Sequence, residues 1–318
     1  MRLLLALLLV GLTACAPREE DGEAVLRLGF FARLTHAPAL TGIESGRFQS
    51  ALGETRLEPR AFEYGNAAVE AMFAGELDAA YLGPNPAINA FVRSKGDVRI
   101  LTEAARGGSA LVVRADRNID SARDLAGKKI ATPQIASTQD IALRRYLRSQ
   151  QLRTSSEGGD VTVLPLSTPF ILSLFAQGEL DGAWVSEPLV AQLLAQGNAK
   201  TLVEEADTWP QGQYPATVVA VRTSYLRAHP DAVKRLLAAH RAEVRLSREQ
   251  PGEALSTALT AMRVRAGRQV PPEVAAAAWK HLSVSDTLTP RALERLADDA
   301  RGAGFLPQGS LDGLVVSP

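Results

Sequence analysis

A single cysteine, Cys15, stands in a chain of 318 residues, so no internal disulfide can form and the thiol needs another reason for its place. An excess of charge is missing as well. Lys plus Arg number 35 and Asp plus Glu number 35, which leaves no global attraction to nucleic acid or to an anionic surface. Aromatic residues are scarce at 5%, against 46% hydrophobic residues overall, the profile of an Ala/Leu-rich α/β protein. Enzyme signatures are lacking: there is no P-loop, no G-x-S-x-G elbow, no H-E-x-x-H and no cysteine pair. Gly107-Gly108-Ser109 is not a dinucleotide fingerprint. No histidine or carboxylate cluster has metal-ligand spacing, and His229, His240 and His281 fall in a helical tail where surface positions are expected. The residues therefore predict a protein that is not an enzyme and that needs neither cofactor nor metal.

The first residues form a unit of their own. Met1-Arg2 is a positive start, and Leu3 to Leu12 is an apolar run too short to span a bilayer but of the length of a secretion signal. Leu12-Thr13-Ala14-Cys15 then resembles a bacterial lipoprotein signal, with Cys15 lipidated and residues 1–15 forming the signal peptide. Cleavage of an ordinary signal near Ala14 or Ala16 is the alternative; the solitary status of Cys15 favours lipidation. Two or more acyl chains would anchor the protein stably where one is marginal. The polar stretch 16–24 reads as a tether. No later run approaches transmembrane length.

An internal repeat organises the rest. Residues 65–84 read GNAAVEAMFAGELDAAYLGP and residues 168–187 read TPFILSLFAQGELDGAWVSE, at a constant offset of 103 that sets Gly75 to Asp78 over Gly178 to Asp181 and Tyr81 over Trp184. Each copy predicts an amphipathic helix, a glycine stop, an apolar strand and a polar turn. Two such α/β units predict two lobes with a cleft between them. Strands are expected at 25–31, 57–62, 77–82, 98–103, 110–114, 128–132, 161–166, 182–185 and 216–221, alternating with helices, which implies mainly parallel sheets flanked by helices. From Ser224 onward the chain is mostly helical and is expected to pack on the first lobe. The lobe boundaries that follow are 25–110 with 217–318 for lobe one and 111–216 for lobe two.

In open parallel sheets ligands collect beyond the strand C-termini, where helix N-termini offer unpaired N–H groups and partial positive charge. Polar caps stand at several such junctions: Thr35-His36, Asn85, Ser109, Ser137-Thr138-Gln139 and Ser186. Arg106, Trp184 and Trp209 are further cleft candidates, each with a plain structural alternative. Glu187 either caps its helix or accepts a hydrogen bond from a ligand. Asp78 and Asp181 read as structural residues of the helix-to-strand turn.

Taken in order, THAPAL, GELDAAYLGPNPAIN, GGSALVVR, DLAGKKIATPQ, STQDIALR and GELDGAWVSEPLV resemble the solute-binding proteins of ABC importers, within them the aliphatic sulfonate, nitrate and taurine group. The resemblance runs from about Leu26 to Leu306. It implies a two-lobed type II periplasmic-binding-protein fold that closes on its ligand and delivers it to a membrane permease. It assigns cleft roles to Thr35, His36, Gly83, Asn85, Pro86, Gly108, Ser109, Ser137, Thr138, Gln139, Trp184 and Glu187. Ser186 departs from the proline that related members often carry before Glu-Pro.

The expectation is an exported, lipid-anchored, monomeric binding protein for a small organic anion, most simply an aliphatic sulfonate, working with a permease and its ATPase and not with nucleic acid. Tyr81 and Trp184 would suit an organic tail. Taurine, nitrate or a pyrimidine-type thiamine precursor are alternative ligands, and a pyrimidine-forming synthase on the same fold is the alternative of another class.

Overall fold

In a computed structural model the described residues are 24–318. The expected signal with Cys15, and nearly all of the 16–24 tether, lie outside them. The strands are β1 Val25–Phe31, β2 Arg56–Phe62, β3 Ala79–Leu82, β4 Val98–Gly107, β5 Ser109–Arg114, β6 Lys129–Thr132, β7 Thr162–Pro165, β8 Gly182–Ser186, β9 Ala199–Glu204, β10 Pro215–Arg222 and β11 Leu282–Val284. The helices are α1 Ala37–Glu44, α2 Arg47–Leu52, α3 Gly65–Phe73, α4 Pro84–Arg93, α5 Thr138–Ser149, α6 Thr168–Ala176, α7 Leu189–Leu194, α8 Thr223–Ala228, α9 Pro230–Glu249, α10 Pro251–Ala266, α11 Pro272–Trp279 and α12 Pro290–Gly302.

Two sheets form, one per lobe. The first has the order β2-β1-β3-β10-β4-β11 and the second β7-β6-β8-β5-β9. Set side by side, the orders match strand for strand, with β2, β1, β3, β10 and β4 answering to β7, β6, β8, β5 and β9. The sequence repeat thus marks the middle of a shared topology. Each copy ends its helix the same way. Gly75 and Gly178 have φ of 77° and 79°, a left-handed conformation that only glycine adopts without strain. Glu76 N–H then reaches Ala71 O at 2.8 Å and Glu179 N–H reaches Leu174 O at 2.9 Å, closing both helix ends. The aspartates follow suit: Asp78 accepts from Arg27 N–H at 2.9 Å at the start of β1, and Asp181 accepts from Lys129 N–H at 2.8 Å at the start of β6.

The sheets are mixed, a correction to the expectation of mainly parallel ones. β1 runs parallel to β2 and β3, and β6 parallel to β7 and β8. β10 is antiparallel to both β3 and β4, and β5 is antiparallel to both β8 and β9. The reversed strands are those by which the chain arrives from the other lobe. Such a strand enters its new sheet at the edge facing the cleft, so it runs against strands that end there. β4 passes almost straight into β5 at Gly107-Gly108, running past the strand end expected at residue 103. The return runs through two short 3-10 turns, Glu205–Thr208 and Pro210–Gly212. β9 and the three-residue β11 were not foreseen.

The strands are covered on both faces, so alternate residues enter different cores. Leu26, Leu28, Phe30, Tyr81 and Val219 face α1, α9 and α10, whereas Phe31, Ala80, Leu82 and Val218 face α3, α4 and α12. In the second lobe Ala183 and Val185 meet α6 and α7, while Trp184 turns to α5. His240, expected at the surface, is fully buried: its Nδ1 accepts a hydrogen bond from the Tyr81 hydroxyl at 2.8 Å and its Nε2–H donates to Glu103 O at 2.9 Å. Arg106 pairs with Glu103 at 2.6 Å instead of standing free in a loop.

Candidate ligand-binding site

The ends of β1, β3, β6 and β8 point into the space between the sheets, and β10 begins there. The polar turns that follow those strands come together around a cavity of about 40 Å³, lined by Thr35, His36, Ser137, Thr138, Gln139 and Thr217 among others. That volume holds about three water molecules, the scale of a small oxyanion rather than of a whole organic ligand.

The N-terminus of α5 supplies the strongest electrostatic feature. Ser137 caps it, its hydroxyl accepting from Asp140 N–H at 3.2 Å. The first-turn amides of Thr138 and Gln139 have no intrahelical acceptors, and the helix dipole adds partial positive charge. Asp140 does not cancel this field, because its carboxylate is occupied: it accepts from Ala136 N–H at 2.9 Å and pairs with Arg144 at 3.2 Å. The helix body is held against the first lobe through Arg145 and Asp299, 3.4 Å apart.

Two side chains from the turn after β1 complete the polarity. His36 accepts the Phe31 N–H at Nδ1 (3.3 Å), which places the ring proton on Nε2. Burial, with nearby Arg33, holds its pKa well below the ordinary value, so the ring is a neutral donor at physiological pH. Arg33 lines the same cavity. It donates to Glu63 O at 3.0 Å, and no carboxylate within the described residues forms an ion pair with it. Burial, then repulsion from Arg268, lowers its pKa, yet a guanidinium stays charged. An unpaired, partly desolvated cation facing a cavity invites an anion.

Unsatisfied hydroxyls point the same way. Thr138 Oγ1 and Thr217 Oγ1 are buried without a hydrogen-bond partner, from opposite lobes. Such groups carry a desolvation cost that a ligand oxygen would relieve. The lobes touch at this point: a Cβ on Gly83 would lie 2.7 Å from Thr138 Oγ1, so a larger residue there would press on that hydroxyl. Gly83 and Pro86 line the cavity with Thr35, His36 and the three α5 residues.

Ser186, at the end of β8, also lines the cavity, and the remaining residues singled out from the sequence lie away from it. Asn85 turns to α12 and donates to Leu296 O at 3.1 Å. Gly108 sits at the crossover, its carbonyl accepting from Glu187 N–H at 2.7 Å. Ser109 is buried in β5 opposite Ser186, its hydroxyl turned to that of Tyr214. Trp184 is fully buried and donates its indole N–H to Glu205 at 2.9 Å, and Tyr81 is committed to His240. Neither aromatic lines the cavity. Glu187 caps α7 by accepting from Ala191 N–H at 3.0 Å; burial pushes its pKa up to about 7. Trp209 is held between Arg145 and Arg295. Arg33, Tyr64 and Thr217 line the cavity without having been singled out. A polar residue directly after a strand was the available signal for Arg33. Thr217, inside an apolar strand, offered none.

Comparison with known proteins adds an independent line. The profile described as the NMT1-like family matches residues 19–260, about three-quarters of the chain. The taurine-binding periplasmic protein of Escherichia coli (strain K12) is 30% identical over 198 residues, 62% of this chain and 59% of that protein. The chain therefore matches less than two-thirds of that relative's length. A putative aliphatic sulfonates-binding protein of Bacillus subtilis (strain 168) is 26% identical over 233 residues, 71% of this chain and 67% of that protein. Among solved structures, the alkanesulfonate-binding protein SsuA from Xanthomonas axonopodis pv. citri, bound to MOPS, superposes with a TM-score of 0.78 at 20% identity, covering 93% of this chain and 99% of that one. At that identity the likeness speaks for the fold alone.

Proposed function

The chain belongs to the NMT1-like family, and from that premise we propose that it is the solute-binding component of an ABC importer, capturing a small organic anion of the sulfonate type and passing it to a membrane permease. One observation carries the reading: an unpaired Arg33, the free N-terminus of α5 and the unpartnered hydroxyls of Thr138 and Thr217 meet in a single cavity between the lobes. That set recognises negative charge and offers hydrogen-bond donors, with nothing poised to break a covalent bond. Curated relatives named for taurine and aliphatic sulfonates support the ligand class.

Capture proceeds by replacing the anion's hydration shell with fixed donors. Each charge-assisted hydrogen bond contributes about 1.5–3 kcal/mol, so three to five of them, less the ordering cost, support micromolar binding at about −8 kcal/mol. Two bodies, 25–110 with 217–318 and 111–216, close on each other, driven by contacts made only in the closed state. Thr35, His36, Gly83, Pro86 and Ser137 to Gln139 form the site, while Asn85, Gly108, Ser109, Trp184 and Glu187 support it through packing and the crossover. The protein acts as a monomer, exported and tethered through lipidated Cys15.

Titration calorimetry of the full chain with methanesulfonate, 1-pentanesulfonate, taurine and nitrate tests the ligand class. Micromolar sulfonate binding is expected; heat from none of the four would refute it. Mass spectrometry of the membrane-extracted protein tests the anchor, with a diacylglyceryl mass on Cys15 expected. A second reading, nitrate, is favoured by the small volume of the cavity alone; the same titration separates the two.

A further inference from the structure

A second cavity bears on which organic anion fits. It measures about 260 Å³ and lies between the lobes, lined by Ala32 and Arg33, by Leu172 of α6, by Leu189 and Gln192 of α7, and by Met262 of α10, with others. A 150 Å³ apolar cavity suffices for a benzene ring, so this one holds a larger tail. Arg33 lines both cavities, so the second lies directly beside the anion site.

Among the described residues, neither lining includes an Asp or Glu. The charged groups at the junction are Arg33 and Arg268, and the nearby Glu63 carboxylate is committed to Arg268. An ammonium group entering the larger cavity would shed its water beside two guanidinium groups with no free counter-charge. A methyl group there would bury apolar surface against Leu172, Leu189 and Met262.

We propose that the cleft divides its ligand at Arg33: the sulfonate head occupies the small polar cavity, and an apolar tail of several carbons runs into the larger one. The protein is thus selective for alkyl or aryl sulfonates over taurine and over inorganic anions. This rests on the anion-binding reading of the preceding subsection.

The test is calorimetry on the full chain with methane-, propane- and pentanesulfonate and with taurine, which differs from propanesulfonate by an ammonium in place of the terminal methyl. Each buried methylene should tighten binding about four-fold, so pentanesulfonate should bind on the order of 10²-fold more tightly than methanesulfonate. Taurine should bind at least about ten-fold more weakly than propanesulfonate. Leu172→Ser should flatten the dependence on chain length and leave methanesulfonate unchanged. Gln192→Glu, which adds a carboxylate to the tail cavity, should raise taurine affinity and lower that of pentanesulfonate. Equal affinity along the series, or a slope untouched by both substitutions, overturns the tail assignment while leaving anion capture standing. Failure of every sulfonate to bind removes anion capture itself.

Discussion

Replacing Thr138 by valine should move stability and affinity in opposite directions. Thr138 Oγ1 is buried, and among the described residues no hydrogen-bond partner meets it. An unmet buried hydroxyl costs about 1–3 kcal/mol. Valine keeps the shape and deletes the unmet group, so Thr138→Val should stabilise the free protein by about 1 kcal/mol, a rise of about 2 °C in Tm. The same hydroxyl is expected to donate to the bound anion, a bond of about 1.5–3 kcal/mol, so affinity should fall roughly ten- to a hundred-fold. Differential scanning calorimetry of free protein, paired with titration of 1-pentanesulfonate, reads both changes. A variant that is destabilised and binds with unchanged affinity would refute the reasoning, since the hydroxyl would then serve the fold alone.

Gly83→Ala should weaken binding about ten-fold, because the added methyl group would press on Thr138 Oγ1 where the lobes meet, at a cost of about 1–3 kcal/mol; titration calorimetry checks it. Arg33→Gln should lower sulfonate affinity about ten-fold or more and reduce its dependence on salt, measured by titrations at two ionic strengths. Glu205→Gln concerns stability. Burial pushes the Glu205 pKa up to about 8, so the folded protein holds a proton that the unfolded chain releases above about pH 4.5. Its contribution is therefore full below that pH and lost as pH rises through about 8. The glutamine variant, which keeps an acceptor for Trp184, should raise Tm at pH 8 and change it little at pH 5.

Much of the fold was legible because local signals repeat. The GELD turns state the same helix stop and strand start twice, and Asp78 and Asp181 anchor the first strands of their sheets alike. The caps Thr35, Ser137 and Thr138 were readable for a related reason: a polar residue after a buried strand marks a helix start at the sheet's open end. Strand polarity was not readable. It depends on the edge at which the chain enters a sheet, and nothing within VVAV or ALVV encodes that. Trp184 and Tyr81 misled because an aromatic near a strand end suits a ligand and a core equally; alternation then gave Trp184 to α5 and Tyr81 to α9. Asn85 and Trp209 were decided by α12, more than 80 residues later in sequence. Arg33 could not be told from a solvated arginine until the structure showed that, among the described residues, no carboxylate comes to meet it.

A crystal structure with 1-pentanesulfonate bound is the most direct measurement. The account predicts sulfonate oxygens against the Thr138 and Gln139 amides, Arg33 and the Thr217 hydroxyl, with the alkyl chain beside Leu172 and Met262. A sulfonate seated outside the inter-lobe cleft, for instance in the groove along α10 lined by Leu255 and Leu259, would contradict it.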